Sequence, residues 1–337
     1  MGAHQGRHRR VPGSAVDGVD GVRGSAIPAD DAPRPPSFPA GGAAGEEPVW
    51  PAAGPPWGEE PVVPPAEPAR GGDSVHPAGP DWAGGPLVAP APQSQAVSSR
   101  PPGGIGLVWV YPDLLSTYGD RGNLLVLERR ARLRGIRVES VHVNSDQPVP
   151  RDGGIYLLGG GEDLPQILAA RRLRADGGLA AAASRGAVIF AVCAGYQLLG
   201  AEFGGEEGQP MAGLEILDIS SGRGERRGVG EIIADVDPAL GVPRLTGFEN
   251  HRGVTRLGQG ARPLAKVAVG VGNGDGTEGA YAGRVLGTYL HGPALVRNPG
   301  LADLLLSWAA GPLEPLAAAD EELALKLRGE RLAAVPA

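Results

Sequence analysis

Between residues 105 and 311, short apolar runs alternate with longer stretches in which apolar residues recur every three or four positions. A continuous apolar run with β-branched members is typical of a strand buried on both faces, and the longer spacing is typical of a helix that buries one side. The pattern predicts strands at residues 106–111, 136–143, 154–158 and 187–192. Alternating strands and helices of this kind indicate an α/β fold with a mostly parallel sheet and flanking helices.

Beyond residue 200 the predicted elements become shorter. Strands are predicted at residues 213–217, 230–236, 245–250, 266–270 and 285–290, and Asn298-Pro299 opens a helix that closes the domain. One folded domain is therefore predicted over residues 104–311. The tail that follows, residues 312–337, is predicted to contain a short surface helix at residues 320–328.

Residues 1–103 form an arm that is rich in Pro, Gly, Ala and acidic residues and has no sustained period of two or 3.6. Such a segment buries too little apolar surface to offset its conformational entropy, so the arm is predicted to be disordered. Its tryptophans are either anchor points for a partner or residues without a specific contact: Trp50, Trp57 and Trp82.

Charge and composition exclude several classes of function. The net charge of −7 and the pI of about 5.5 give no basic surface for nucleic acid. No apolar run is long enough to span a membrane, and the first residues lack the apolar segment of a signal peptide. We therefore expect a cytoplasmic protein, and its single cysteine excludes an internal disulfide.

That single cysteine, Cys193, lies where a predicted strand gives way to a predicted helix. A sharp strand-to-helix turn lifts the side chain at its apex out of the sheet, provided that its neighbours are small, as Ala191, Ala194 and Gly195 are. The N-terminal N–H groups of the helix favour the thiolate form of the sulfur. This context favours a nucleophile over the alternative, a small buried hydrophobic residue.

A cysteine nucleophile needs an imidazole within hydrogen-bond reach. Of the six histidines, His291 has the most suitable position, because it follows the last predicted strand and precedes a Gly-Pro breaker. His251 is the alternative, although an exposed loop histidine would explain it equally well, and His142 alternates with valines as a sheet residue does. The others lie in the arm: His4, His8 and His76.

Three consecutive glycines, residues 159–161, follow the third predicted strand. They predict either a tight turn alone or a backbone that approaches a ligand, at the same sheet edge as Cys193. A Cys-His pair beside such a turn supports acyl transfer, in which backbone N–H groups stabilise the oxyanion. The expected donors are the amide of Ala194 and one from Gly160 or Gly161, whereas the acyl donor stays open.

Five blocks of residues, in order, resemble one enzyme family. They are Tyr118-Gly-Asp-Arg-Gly-Asn123, Gly159-Gly-Gly-Glu-Asp163, Val192-Cys-Ala-Gly-Tyr-Gln-Leu-Leu199, Gly247-Phe-Glu-Asn-His251 and Gly287-Thr-Tyr-Leu-His-Gly-Pro293. Residues 105–308 resemble the class I glutamine amidotransferases, in the branch that includes cobyric acid synthase, and most of all the glutaminase subunits of lipid II isoglutaminyl synthases. The resemblance implies a flavodoxin-like sheet in a single catalytic domain.

The resemblance also implies roles for single residues. Cys193 would attack the side-chain amide of L-glutamine, with His291 as base and then acid. Gln197 falls where family members contact the substrate, and Arg227 where a basic residue holds the glutamine carboxylate. Arg226 is its near rival, and an ordinary solvated turn is the alternative for both arginines. No metal site is implied in this chain.

Two departures from the family pattern bear on the mechanism. Most class I enzymes carry a Glu two positions after the histidine, whereas His291 is followed by Gly292 and Pro293. The acid that orients His291 must then come from elsewhere, from a partner, or be absent. The second departure is that cobyric acid synthase has an ATP-using domain ahead of its glutaminase domain, whereas this chain has the arm and no P-loop.

The resemblance therefore implies a separate partner, a Mur-ligase-like, ATP-dependent subunit that holds the ATP and metal, with no cofactor in this chain. As a heterodimer, the two would convert the D-glutamate of the lipid II stem peptide to D-isoglutamine in peptidoglycan biosynthesis. The alternatives are a glutaminase half of a cobyrinic or cobyric acid amidotransferase, a free-standing hydrolase of γ-glutamyl or peptide bonds, and a non-catalytic scaffold with a fossil site.

Overall fold

The computed structural model describes residues 103–117, 119–205 and 208–335. The predictions for residues 1–102, including those for the three tryptophans, lie outside these residues, as does Tyr118 of the first sequence block. In the part of the chain that the structure describes, no helix is long and apolar enough to cross a membrane.

Within the described residues, eleven strands form one mixed sheet. Its parallel half consists, in spatial order, of β2 (Val138–Val143), β1 (Ile105–Val110), β3 (Ile155–Leu158), β4 (Val188–Val192) and β11 (Val285–Thr288). The sheet continues antiparallel through β10 (Thr277–Ala282), β9 (Arg262–Val269) and β7 (Ile219–Val236), which pairs with β8 (Leu245–Leu257) and with the edge hairpin β5 (Glu202–Gly204) and β6 (Pro210–Ala212). The predicted α/β fold is confirmed, and its parallel half contains the four strands predicted first.

Helices pack against the sheet. They are α1 (Arg121–Leu133), α2 (Asp163–Asp176), α3 (Gly178–Ser184), α4 (Ala194–Leu198), α5 (Ala294–Arg297), α6 (Pro299–Ala310) and the tail helix α7 (Ala318–Ala333), which contacts α5 and β8. Every residue of β1, β3, β4 and β11 is buried, as expected for apolar strands that lie between two layers of helices. The tail helix α7 is longer than predicted at both ends.

Some elements in the second half differ from the prediction. Residues 213–217 form an irregular segment that ends in a bend rather than a strand, and Glu215 adopts a positive φ of 55° that a strand does not allow. Strand β10 was not predicted because it lies between two glycines with positive φ, Gly276 and Gly283. The segment between them is too short to show an alternation of apolar and polar residues. Strand β7 begins at Ile219 and not at residue 230 as predicted. Its first half was not predicted because it is rich in glycine, which is typical of a loop.

The carboxyl ends of β3, β4 and β11 meet at one edge of the sheet. Leu158 pairs with Ala191, and Val192 pairs with Thr288. The segments that leave these strands carry the glycine turn, Cys193 and His291. The sheet therefore brings together three segments that are distant in sequence, at the edge where open α/β sheets bind ligands.

Candidate active site

Cys193 occupies the apex of the turn between β4 and α4, as the sequence predicts. Its backbone has φ 52° and ψ −109°, a conformation that residues other than glycine rarely adopt. The turn is held by hydrogen bonds from Cys193 N to Thr288 O (2.8 Å) and from Gly195 N to Gly159 O (3.1 Å). A Cβ at Gly195 would lie 2.8 Å from that carbonyl oxygen, so glycine is required for the close approach.

His291 lies beside Cys193 and is anchored through its backbone. Its N–H donates to Phe248 O (2.8 Å), and its carbonyl accepts from Phe248 N (3.0 Å). A Cβ built on Gly160 would lie 2.9 Å from His291 Cε1 and 3.5 Å from Cys193 Cβ. A side chain at this position would clash with the His291 ring and reach Cys193, so the structure brings together the predicted nucleophile and the predicted base.

Asp120 places a carboxylate beside His291. Its Oδ1 lies 3.6 Å from His291 Nδ1, and both side chains are buried. Its Oδ2 accepts from Gly160 N at 2.6 Å. Although Asp120 has the sequence position of an N-cap for α1, its side chain makes no capping bond. One signal in the sequence pointed to Asp120: it belongs to the first sequence block and lies between β1 and α1.

This environment sets the charge of the histidine. Burial lowers the pKa of His291, but hydrogen-bonding contacts and the charges of Asp120 and Cys193 outweigh it and raise the pKa from 6.5 to about 9. This shift favours the protonated form of the ring at neutral pH. An imidazolium between a carboxylate and a sulfur is the form that can protonate a leaving group.

The two glycine amides proposed for the oxyanion differ in the structure. Gly160 N donates to Asp120 Oδ2, so this amide is already engaged, and the donor from Gly160 or Gly161 stays a prediction. Gly161 and Ala194 line the cavity with Cys193. Of the residues predicted for the oxyanion, these two are positioned to contact a ligand at the sulfur.

A cavity of about 370 Å³ opens beside Cys193, within the usual size range for small-molecule sites. Glu162 and Asp163, at the start of α2, line one side. Arg223 and Arg227 from β7 and Asn250 from β8 also line it, whereas Arg226 does not. A cavity with both acidic and basic groups suits a zwitterionic amino acid.

Gln197 lines the same cavity, but its amide also belongs to the protein's own network. Its Oε1 accepts from Gln166 (2.9 Å), and its Nε2 donates to the Tyr289 hydroxyl (3.0 Å). These bonds fix the orientation of the amide. Any contact with a substrate would use its remaining donor and acceptor capacity.

The other candidate histidine, His251, is a buried wall residue. Its ring stacks on Tyr289 with the centroids 3.8 Å apart. Its Nδ1 lies 3.0 Å from Gly253 O, and its Nε2 lies 3.3 Å from Glu249 Oε2. His142 lies on β2 with its ring edge-on to Trp109, which confirms it as a sheet residue.

Comparison with known proteins decides the family. Residues 106–299, more than half of the chain, match the CobB/CobQ-like glutamine amidotransferase domain. The chain belongs to this family. It is thus an amidotransferase of the class that the five sequence blocks resemble.

Relatives of two kinds are similar to this amidotransferase. The GatD subunit of lipid II isoglutaminyl synthase (glutamine-hydrolyzing) from Staphylococcus aureus is 36% identical over 60% of this chain and 85% of its own length. The GatD subunit from Streptococcus pneumoniae is 32% identical over 61% and 80%. Cobyric acid synthase from Sphingopyxis alaskensis is 34% identical over 50% of this chain but only 34% of its own length. A solved glutamine amidotransferase structure is 24% identical with a TM-score of 0.43, and covers 60% of this chain and 99% of its own.

The amidotransferase site also contains a buried carboxylate that the sequence did not indicate. Glu278 on β10 accepts from Thr288 Oγ1 (2.5 Å) and Tyr289 N (2.9 Å), in the segment that leads to His291. Burial raises the pKa of Glu278 to about 7, against the effect of these hydrogen bonds. Because Thr288 O also accepts from Cys193 N, Glu278 supports the backbone that holds Cys193 and leads to His291.

Proposed function

We propose that this chain hydrolyses L-glutamine at Cys193 and supplies the ammonia to a separate ATP-dependent subunit. One observation supports this most strongly: a sulfur, an imidazole and a carboxylate adjoin one another at a cavity that has acidic and basic walls. Cysteine, histidine and an orienting acid are sufficient for acyl transfer.

In the proposed mechanism, the Cys193 thiolate adds to the side-chain carbonyl carbon of glutamine, and the amides of Ala194 and Gly161 stabilise the oxyanion. The His291 imidazolium protonates the amide nitrogen, and ammonia leaves as the thioester forms. His291, now neutral, takes a proton from water, which attacks the thioester. Glutamate is released and the thiolate is restored, with Asp120 keeping the ring oriented throughout.

The acceptor of the ammonia is proposed from the relatives. Two GatD subunits align over most of their own length, whereas cobyric acid synthase aligns over about a third of its length. This favours a separate glutaminase subunit, with a Mur-ligase-like partner that amidates the D-glutamate of lipid II in the cytoplasm. The proposal assigns ATP and metal to the partner, and no cofactor to this chain.

Coupling to the partner tests this acceptor. We expect ammonia from [amide-¹⁵N]glutamine to appear in lipid II only when this chain, the partner and ATP are all present. Product would be read by mass spectrometry of the stem peptide. A chain that hydrolyses glutamine or γ-glutamyl peptides at the same rate with and without the partner, and transfers no ¹⁵N, would instead be a free-standing hydrolase.

The pH dependence of hydrolysis follows from the charge of His291. Its pKa in the folded chain is raised above 6.5 to about 9, so the protonated ring persists through neutral pH and is lost as the pH rises through about 9. We therefore expect kcat for glutamine hydrolysis to fall above that pH, because the leaving ammonia then lacks its acid. A kcat profile between pH 6 and 10.5, in buffers of constant ionic strength, measures this; a limb already falling near pH 6.5 would contradict it.

A further inference from the structure

We infer that Asn250 is a positioning residue for substrate recognition: its side-chain oxygen orients the Arg227 guanidinium to receive the α-carboxylate of the substrate amino acid. The inference rests on the proposed function, since it concerns how glutamine is selected. It adds a residue of the fourth sequence block, Gly247-Phe-Glu-Asn-His251, to the site.

The local backbone gives Arg227 little support. The pairing of β7 with β8 shifts register between Arg223 and Gly228, so Arg227 lies in an irregular stretch of β7. The residue is exposed. Asn250 lies in the regular part of β8, opposite Val229, and is half-buried. Arg227 Nε donates to Asn250 Oδ1 at 2.7 Å. This bond ties a long, mobile side chain to a fixed strand.

The chemistry of this bond leaves the arginine suited to an anion. The bond to Asn250 uses only the Nε of Arg227. The two terminal nitrogens of the guanidinium remain for the substrate, and they can bind a carboxylate with two parallel hydrogen bonds. The acceptor is also neutral, so the positive charge of Arg227 is not compensated by Asn250. A carboxylate in place of Asn250 would keep the contact but compete with the substrate for the charge.

Another arginine of the cavity, Arg223, shows the contrast. Arg223 Nη1 lies 3.4 Å from Asp163 Oδ2, so its charge is already paired with an acid of the same cavity. Arg223, Arg227 and Arg252 all line the cavity, and of the two arginines on β7 only Arg227 is held by a neutral acceptor. Arg227 is therefore better suited than Arg223 to receive the substrate carboxylate.

Steady-state hydrolysis of glutamine by the full-length chain tests the inference. Asn250→Asp, which is nearly isosteric, and Asn250→Ala should each raise KM roughly tenfold, the worth of one charge-assisted hydrogen bond, with kcat within about twofold of the parent. Arg227→Ala should raise KM further, and the double variant with Asn250→Ala should add little to it, because both act on one contact. Asn144→Asp, at an exposed asparagine after β2, is the matched control and should leave KM unchanged.

A substrate without the α-carboxylate separates recognition from folding. With 4-aminobutanamide, the Asn250 variants and the parent should have the same kcat/KM, whereas a structural defect would lower it for both substrates. Unchanged KM for glutamine in both Asn250 variants, or additive effects with Arg227→Ala, would overturn the inference. A parent chain that releases no ammonia from glutamine would refute the proposed function instead.

Discussion

Replacing Cys193 with alanine should reduce glutamine hydrolysis by roughly 10⁴-fold or more, because no other group of the cavity can form the thioester. The substitution should leave the fold intact, since the turn is held by backbone hydrogen bonds to Thr288 and Gly159 and alanine is smaller than cysteine. Ammonia release by the purified chain, measured with glutamate dehydrogenase, gives the rate. Thermal unfolding followed by circular dichroism gives the control.

The same variant separates catalysis from assembly. Cys193→Ala should still bind the ATP-dependent partner, and the complex should still amidate lipid II when ammonium chloride is supplied in place of glutamine. Hydrolysis of glutamine by Cys193→Ala at more than about a hundredth of the parental rate would remove Cys193 from the mechanism.

Replacing Asp120 with asparagine should lower kcat for glutamine hydrolysis by about 10²- to 10⁴-fold, since an amide cannot hold the imidazolium in the same way. The carboxylate lies 3.6 Å from His291 Nδ1 and also accepts from Gly160 N, so it positions both the base and the glycine turn. Because Asp120 raises the pKa of His291, the high-pH limb of kcat should also move to lower pH in the variant, by about one unit or more.

Asp113→Asn is the matched control for this prediction. Asp113 lies between the same strand and helix, but it is exposed and accepts from Ser145, so the change should affect neither kcat nor the pH profile. If Asp120→Asn lowered kcat without moving the limb, Asp120 would be structural and the orienting acid would have to come from elsewhere. An unchanged kcat would exclude Asp120 from the mechanism altogether.

The sequence singles out a candidate nucleophile and a candidate base because each has a local signal. Cys193 follows an apolar strand and is surrounded by small residues, and His291 follows a strand and precedes a Gly-Pro breaker. Their proximity follows from topology, since parallel strands end at one edge of a sheet. These inferences need only the pattern of the chain and the direction of its strands.

The third residue of the site could not be predicted in the same way. An aspartate before a helix reads as a cap, and only the fold shows that the Asp120 side chain turns to His291 and Gly160 instead. Glu278 was missed for a related reason: its strand has no readable period, and a charged residue predicts exposure unless its buried partners are known.

Covalent labelling with diazo-oxo-norleucine, an electrophilic glutamine analogue, is the most direct test that Cys193 and His291 form a glutamine-hydrolysing site. Intact-mass and peptide mass spectrometry of the full-length chain should show one adduct, on Cys193, that L-glutamine prevents and that His291→Ala slows strongly. No adduct on Cys193, or labelling that glutamine does not prevent, would contradict the account.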